Sequence, residues 1–140
     1  MRFVDTNVLL YSVSTAPEER EKTIAAAQLL DAVDLCLSVQ VLQEFYVQAT
    51  RSSRSGSLSH EDATAFIGTW LRYPVQEMTV PLMQAAFAAS SRWRLSYWDA
   101  AIIEAARMLG CDELLSEDLS AGQDFGGLRV VNPFSGPGVF

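Results

Sequence analysis

Short apolar segments with strand character alternate with longer segments of helical period along the whole chain, and this alternation most constrains the fold. The apolar pattern predicts strands over 2–5, 34–39, 75–80, 113–116 and 128–133. It predicts helices over 7–13, 17–34, 39–51, 60–73, 81–93 and 97–109. Strand–helix alternation of this kind is typical of a parallel sheet covered by helices on both faces. We therefore predict an α/β fold with a short, mostly parallel central sheet.

The length and composition indicate one domain. The chain has 140 residues, of which 49% are hydrophobic and 19% are charged, so it can bury one core but is too short for two comfortable domains. We expect a single domain over 1–140. The sequence contains no apolar run of about 18 residues and no signal-peptide pattern at its start. We therefore expect a cytoplasmic protein without a membrane partner, whose C-terminal SGPGVF is turn-rich and frayed.

The cysteines and the single histidine exclude several kinds of chemistry. Cys36 and Cys111 lie in apolar surroundings far apart in the sequence, which indicates small buried side chains rather than a disulfide framework. His60 follows Ser59 at the predicted start of a helix, with Asp62 completing a capping pattern, so we expect it at the surface. Serine–histidine or cysteine–histidine pairs and histidine-rich zinc sites are excluded. Any catalysis must use carboxylates.

The charge balance leaves two interpretations of the arginines open. A formal net charge of -7 argues against a nucleic-acid partner, because phosphate contacts normally require a basic surface. Nine of the ten basic residues are arginines, however, and two pairs lie close in sequence, Arg51 with Arg54 and Arg92 with Arg94. They are either solvated loop charges or, since arginine suits planar phosphate groups, ligands for phosphate.

Four acidic residues occupy unusual positions. Asp5 and Asp118 each follow a predicted strand, and parallel strands of one sheet direct their carboxyl ends to the same edge. Glu44 borders an apolar helix face, and Asp99 lies in a helical first turn that Ser96 is placed to cap. Each has a local explanation as a turn, cap, solvated or dipole-stabilising residue. Together they match the oxygen ligands that Mg²⁺ requires.

Four segments carry a family resemblance: VDTNVLLY, VLQEFY, YWDAAIIEAA, and LLSEDL followed by GLRVVNPF. Together they resemble the PIN domain, and specifically the PIN-domain ribonuclease toxins of the VapC type. The resemblance covers essentially the whole chain, with the acidic motifs in the family's order. It implies a three-layer α/β/α sandwich with a Mg²⁺- or Mn²⁺-dependent endoribonuclease site at the carboxyl edge of the sheet.

The resemblance also assigns site residues. The family's acidic positions, which bind the metal and carry catalysis, correspond to Asp5, Glu44, Asp99 and Asp118. Asn7 and Ser116 match supporting positions that contact the site or substrate, with Ser116 in place of the more usual threonine. The family often has a second acid two residues after Asp118, whereas this chain has Ser120 there and its next acid is Asp124. A ligand role for Asp124 is therefore not predicted.

The function implied by the resemblance is hydrolysis of RNA by the toxin of a toxin–antitoxin pair, with a small cognate antitoxin and a homodimer as partners. Metal-assisted attack by water would leave 5′-phosphate and 3′-hydroxyl ends. The alternatives are a housekeeping PIN-domain RNA-processing nuclease without an antitoxin and a non-catalytic interaction module. A phosphatase of the haloacid dehalogenase type is disfavoured, because it needs a second aspartate where this chain has Asn7.

Overall fold

The computed structural model describes residues 1–135, so most of the SGPGVF segment lies outside the described residues. The strands are β1 (Arg2–Val4), β2 (Leu35–Ser38), β3 (Val75–Gln76), β4 (Glu113–Leu115) and β5 (Arg129–Val131). The α-helices are α1 (Thr6–Ser12), α2 (Arg20–Leu29), α3 (Val39–Ala49), α4 (His60–Trp70), α5 (Val80–Trp93) and α6 (Tyr97–Met108). Over the described residues 1–135, no helix is long and apolar enough to cross a bilayer.

The five strands form one parallel sheet in the order β3-β2-β1-β4-β5, which confirms the predicted fold class. All four side chains of β2 are buried. Phe3 and Val4 of β1 are also fully buried. Such continuous burial is expected for strands that are covered on both faces.

The strand order creates a topological switch point between β1 and β4. The chain first adds β2 and β3 on one side of β1 and then returns to add β4 and β5 on the other. Ligands of open α/β sheets bind at the carboxyl ends of the strands at such a point. Val4 pairs with Leu115, so the following residues, Asp5 and Ser116, leave the sheet side by side.

The helix predicted over 17–34 is too long. Its start is a 3₁₀ turn at Pro17–Glu19, and α2 ends at Leu29. Two contacts from distant residues hold the chain in a turn after α2. The Tyr73 hydroxyl lies within hydrogen-bond distance of the carbonyl oxygens of Leu30 and Ala32 and can donate its one proton to either. The Arg2 guanidinium donates to both carboxylate oxygens of Asp34, at 2.8 and 2.7 Å.

The two cysteines are buried as predicted, but they also meet. Cys36 is 0% exposed and Cys111 is 8% exposed, and their sulfur atoms are in contact. Their wide separation in the sequence gave no indication of this pairing. Their Cα atoms are 7.9 Å apart, wider than the about 4.4–6.8 Å that ordinary disulfides span. The pair lies within the core and links β2 to the segment between α6 and β4.

Candidate active site

A cavity of about 290 Å³ opens at the switch point, above the carboxyl ends of β1 and β4. Carboxylates dominate its wall. It is lined by Asp5, Thr6, Asn7, Leu10, Tyr11, Glu19, Glu44, Gln48, Arg54, Asp99, Ile102, Glu117 and Asp118. All four predicted acidic site residues and Asn7 are therefore around one cavity, and Ser116 is fully buried beside it.

Asp5 links the first helix to the site. Its carboxylate caps α1 by accepting a hydrogen bond from the Thr6 backbone N–H at 2.7 Å, and it accepts another from the Ser116 hydroxyl at 2.7 Å. Burial raises the pKa of Asp5 to about 6, although these two hydrogen bonds oppose the rise. The nearby Asp118 and Glu44 carboxylates contribute less than burial does. The local capping explanation is thus correct, and it coexists with a place in the cavity.

Glu44 is held by two polar neighbours that the sequence analysis did not single out. Its carboxylate accepts hydrogen bonds from the Thr6 hydroxyl at 2.7 Å and from the Gln40 side-chain amide at 2.9 Å. The same amide donates to the backbone carbonyl of Trp98 at 3.1 Å, at the start of α6. The i, i+4 spacing of Gln40 and Glu44 was the available signal for this contact.

Asp99 lies in the first turn of α6 without acting as the cap. The Ser96 hydroxyl accepts the hydrogen bond from the Asp99 backbone N–H at 3.1 Å, as predicted. Among residues 1–135, no side chain or backbone group donates a hydrogen bond to the Asp99 carboxylate, which lines the cavity. The side chain is therefore available to a ligand in the cavity.

Asn7 joins α1 to the loop that follows β4. Its side-chain N–H groups donate to the Ser116 hydroxyl at 3.3 Å and to the Asp118 carboxylate at 3.2 Å. Its side-chain oxygen accepts from the Glu117 backbone N–H at 3.2 Å, which fixes the orientation of the amide. Asn7 thus holds the loop that carries Asp118 against α1.

Glu117 and Asp124 differ in their relation to the cavity. Glu117 lines it and accepts hydrogen bonds from the Lys22 ammonium group and, at 2.6 Å, from the Tyr11 hydroxyl. Burial alone would raise the pKa of Glu117, but these bonds outweigh it and lower the pKa. Asp124 is not part of the cavity wall and accepts from the Gly127 N–H at 2.6 Å within a turn. Periodicity gave no signal for the contact between Lys22 and Glu117.

The donor set fits a hard divalent cation. The cavity presents carboxylate oxygens without thiolate or imidazole groups, and Mg²⁺ prefers oxygen ligands and retains several waters. Within residues 1–135, however, no three histidine, cysteine, aspartate or glutamate side chains are clustered closely enough to hold an ion. The four acids surround a shared space and do not form the tight cluster expected from the sequence. Binding would require water ligands or small side-chain rotations.

The parallel sheet covered by helices and the acidic cavity at its switch point define an α/β protein with a candidate cation-binding site. The PIN domain family profile matches residues 2–121, and the chain belongs to this family. The sequence has no significant match among curated proteins.

Solved structures share the fold. VapC20 of Mycobacterium tuberculosis, described as a Sarcin-Ricin loop cleaving toxin, is similar with a TM-score of 0.65 and 20% identity, covering 84% of this chain and 92% of that one. A toxin–antitoxin complex from Klebsiella pneumoniae gives a TM-score of 0.69 at 18% identity, covering 96% and 98%. FitAB bound to the IR36 DNA fragment gives 0.67 at 17%, covering 98% of both. These likenesses support the fold.

Proposed function

We propose that this protein is a Mg²⁺- or Mn²⁺-dependent endoribonuclease and the toxin of a toxin–antitoxin pair. The observation that carries the proposal is the placement of four carboxylates around one cavity at the switch point of the sheet, by Asp5, Glu44, Asp99 and Asp118. Membership of the PIN domain family and the fold shared with toxin structures support it.

Each site residue has a role in the proposed reaction. Asp5, Glu44, Asp99 and Asp118 would hold the cation, with waters completing its coordination. When bound, the cation would lower the pKa of a water molecule and stabilise negative charge on the phosphate and the leaving oxygen. Thr6 and Gln40 orient Glu44, whereas Asn7 and Ser116 orient Asp118 and Asp5. Asp99, whose carboxylate has no protein donor among residues 1–135, would orient the attacking water.

The net charge of -7 is compatible with an RNA substrate under this proposal. Six of the 17 acidic residues line the cavity, where bound cations would neutralise their charge and attract phosphate. Hydrolysis by an in-line water would leave 5′-phosphate and 3′-hydroxyl ends.

The proposed antitoxin would use the same cavity. Its carboxylate-lined wall is complementary to an arginine side chain, which pairs with carboxylates through two parallel hydrogen bonds. An antitoxin segment that places an arginine here would exclude both the cation and the RNA. The toxin–antitoxin complex from Klebsiella pneumoniae, which shares this fold, supports a partner of this kind.

Asp99→Asn tests the proposed function, and Asp62→Asn is a matched control. Both aspartates occupy a helical first turn, and both donate their backbone N–H to a capping serine, at 3.1 Å for Asp99 and 3.0 Å for Asp62. Asp62 is exposed and is not part of the cavity wall. We expect Asp99→Asn to reduce Mg²⁺-dependent cleavage of single-stranded RNA by at least about 100-fold, since even residues that only support metal ligands contribute 10–100-fold.

Melting curves with EDTA or Mn²⁺ provide a second measurement that does not need substrate. A cation at a hundredfold excess over its dissociation constant stabilises the folded protein by about 2.7 kcal/mol. The parent protein and Asp62→Asn should show this gain, and Asp99→Asn should lose most of it. Cleavage that persists in EDTA, or equal metal responses in all three proteins, would contradict the proposal.

A further inference from the structure

We propose that the cavity beside the acidic one binds the nucleotide next to the scissile phosphate of RNA, with the Arg54 guanidinium binding its phosphate group. This proposal rests on the proposed RNA substrate. The second cavity has a volume of about 210 Å³ and lies between the loop that follows α1 and the loop that follows α3. Arg54 and Glu19 line both cavities, so the two cavities adjoin, and we refer to them together as the groove.

Arg54 is distinguished by the absence of a protein partner. Three arginines of residues 1–135 are half-buried, namely Arg2, Arg54 and Arg107. Arg2 is paired with Asp34, and Arg107 donates to the backbone carbonyls of Phe125 and Gly126. Within the described residues, the Arg54 guanidinium forms neither a hydrogen bond nor an ion pair. A partly desolvated charge without a partner is unfavourable, so a ligand would relieve it.

The ligand that fits Arg54 is a phosphate group. Arg54 is the one cationic side chain in the walls of either cavity over residues 1–135. Glu19, the carboxylate shared by both cavities, does not pair with it and instead accepts from the Ser14 hydroxyl at 2.5 Å. Guanidinium binds phosphate through two parallel hydrogen bonds. An RNA strand with one phosphate among the acidic residues would have its neighbouring phosphate near this arginine.

Apart from the exposed carboxylate of Glu18, the remaining wall of the second cavity suits a nucleobase or ribose. Val13, Ala49 and Leu58 provide apolar surface, and Thr15 and Ser55 provide hydroxyl groups. This combination complements the apolar face and polar edge of a nucleotide.

Gly56 brings the two loops close together. It has φ +69°, and a Cβ atom added there would lie 2.5 Å from the Thr15 side-chain oxygen. A larger residue would therefore displace the Thr15 hydroxyl from the cavity wall and would strain the backbone at this positive φ. The close approach is a property of this groove that only glycine permits.

The test compares Arg54→Ala and Arg54→Lys with Arg51→Ala. Arg51 lies three residues away on the same loop, is exposed, and lines neither cavity of the groove. Binding of a fluorescein-labelled single-stranded RNA is measured against salt concentration with Ca²⁺ present, and a gel confirms that the RNA stays intact. We expect Arg54→Ala to bind about tenfold more weakly and its log–log salt slope to fall by about 0.7, the contribution of one phosphate contact. Arg54→Lys should keep the slope, and Arg51→Ala should match the parent.

An RNA in which a neutral methylphosphonate replaces the phosphate next to the mapped cleavage site tests where Arg54 contacts the RNA. The parent should lose affinity for this RNA, whereas Arg54→Ala should bind it as it binds unmodified RNA. Equal losses in Arg51→Ala and Arg54→Ala, or an unchanged salt slope in Arg54→Ala, would overturn the proposal. If RNA binding depends on Arg54 but the parent does not cleave, the proposed nuclease activity fails and the subsite stands. If the parent cleaves RNA with metal but neither cleavage nor RNA binding depends on Arg54, the proposed nuclease activity stands and the subsite fails.

Discussion

Asp5 shows how one side chain serves both folding and the candidate site. Its carboxylate caps α1 and accepts from Ser116, and these bonds place it at the floor of the cavity, where it is 6% exposed. Burial is the main reason that its pKa rises to about 6, and repulsion from neighbouring carboxylates is secondary. The ionised form is therefore unfavourable in the metal-free protein, and a bound cation would reverse that effect.

This pKa predicts a pH dependence of the metal-free stability. The folded pKa of about 6 lies above the unfolded value of about 3.9, so the stabilisation from Asp5 is fully present below about pH 4 and is lost as pH rises through 6. The free energy of unfolding of Asp5→Asn should not fall in this way as pH rises. At pH 7 it should exceed that of the parent by up to about 3 kcal/mol. Urea denaturation in EDTA at pH 4, 5 and 7 measures the difference.

Asp34→Asn is a control of opposite sign. The hydrogen bond from Arg2 lowers the pKa of Asp34, so its contribution is present above the unfolded pKa and is lost as pH falls through the folded value. If the difference in free energy of unfolding between Asp5→Asn and the parent does not grow from pH 4 to pH 7, burial does not destabilise the ionised Asp5 carboxylate.

At the level of elements, Lys22 connects α2 to the candidate site. Lys22 of α2 donates to Glu117, whose backbone N–H in turn donates to Asn7. Tyr11 of α1 donates to the same carboxylate, and the Lys22 ammonium lies 4.8 Å from the centre of the Tyr11 ring. Lys22 therefore holds the loop after β4, which carries Asp118, against two helices.

We expect Lys22→Met to lower kcat for RNA cleavage by about tenfold, in the range found for residues that position metal ligands. Lys22→Arg should restore most of the rate because it retains a donor to Glu117. Arg20→Met, at an exposed position of the same helix, should leave the rate unchanged. If Lys22→Met and Arg20→Met have the same rate, the contact is only structural.

At the scale of the whole molecule, the described residues leave an apolar surface on α5 and at the start of α6. Val80, Met83 and Phe87 follow helical spacing and are 63%, 36% and 56% exposed, and Trp98 is 62% exposed. Exposed clusters of this kind often mark protein interfaces. The homodimer expected from the sequence remains a prediction, and this surface is where we expect the second copy to bind.

Phe87→Glu should convert the expected dimer into a monomer, because it places a charge within this apolar surface. Light scattering coupled to size-exclusion chromatography at micromolar protein concentration measures the change. Phe66→Glu on α4, which also alters an exposed aromatic residue, is the control and should stay dimeric. A monomeric parent, or a dimer that survives Phe87→Glu, would refute the assignment.

Local sequence patterns determined most of the architecture. The alternation of apolar periods located the five strands and six α-helices of residues 1–135, because burial against a sheet or along one helix face repeats at fixed intervals. It made α2 too long and extended the third strand beyond its end at Gln76. It also placed Asp5 and Asp118 at one edge, since parallel strands direct their carboxyl ends the same way. The cap at Ser96 was predictable for the same local reason.

Only the tertiary structure decided the contacts between distant segments. The early end of α2, the contact of Lys22 with Glu117 and the placement of Arg54 between two cavities depend on side chains brought together from separate segments. Periodicity predicts which face of an element is buried, but it does not predict which polar residue of the opposing element that face contacts. The pKa of Asp5 likewise depends on how deeply the completed fold buries it, and no stretch of the sequence specifies that depth.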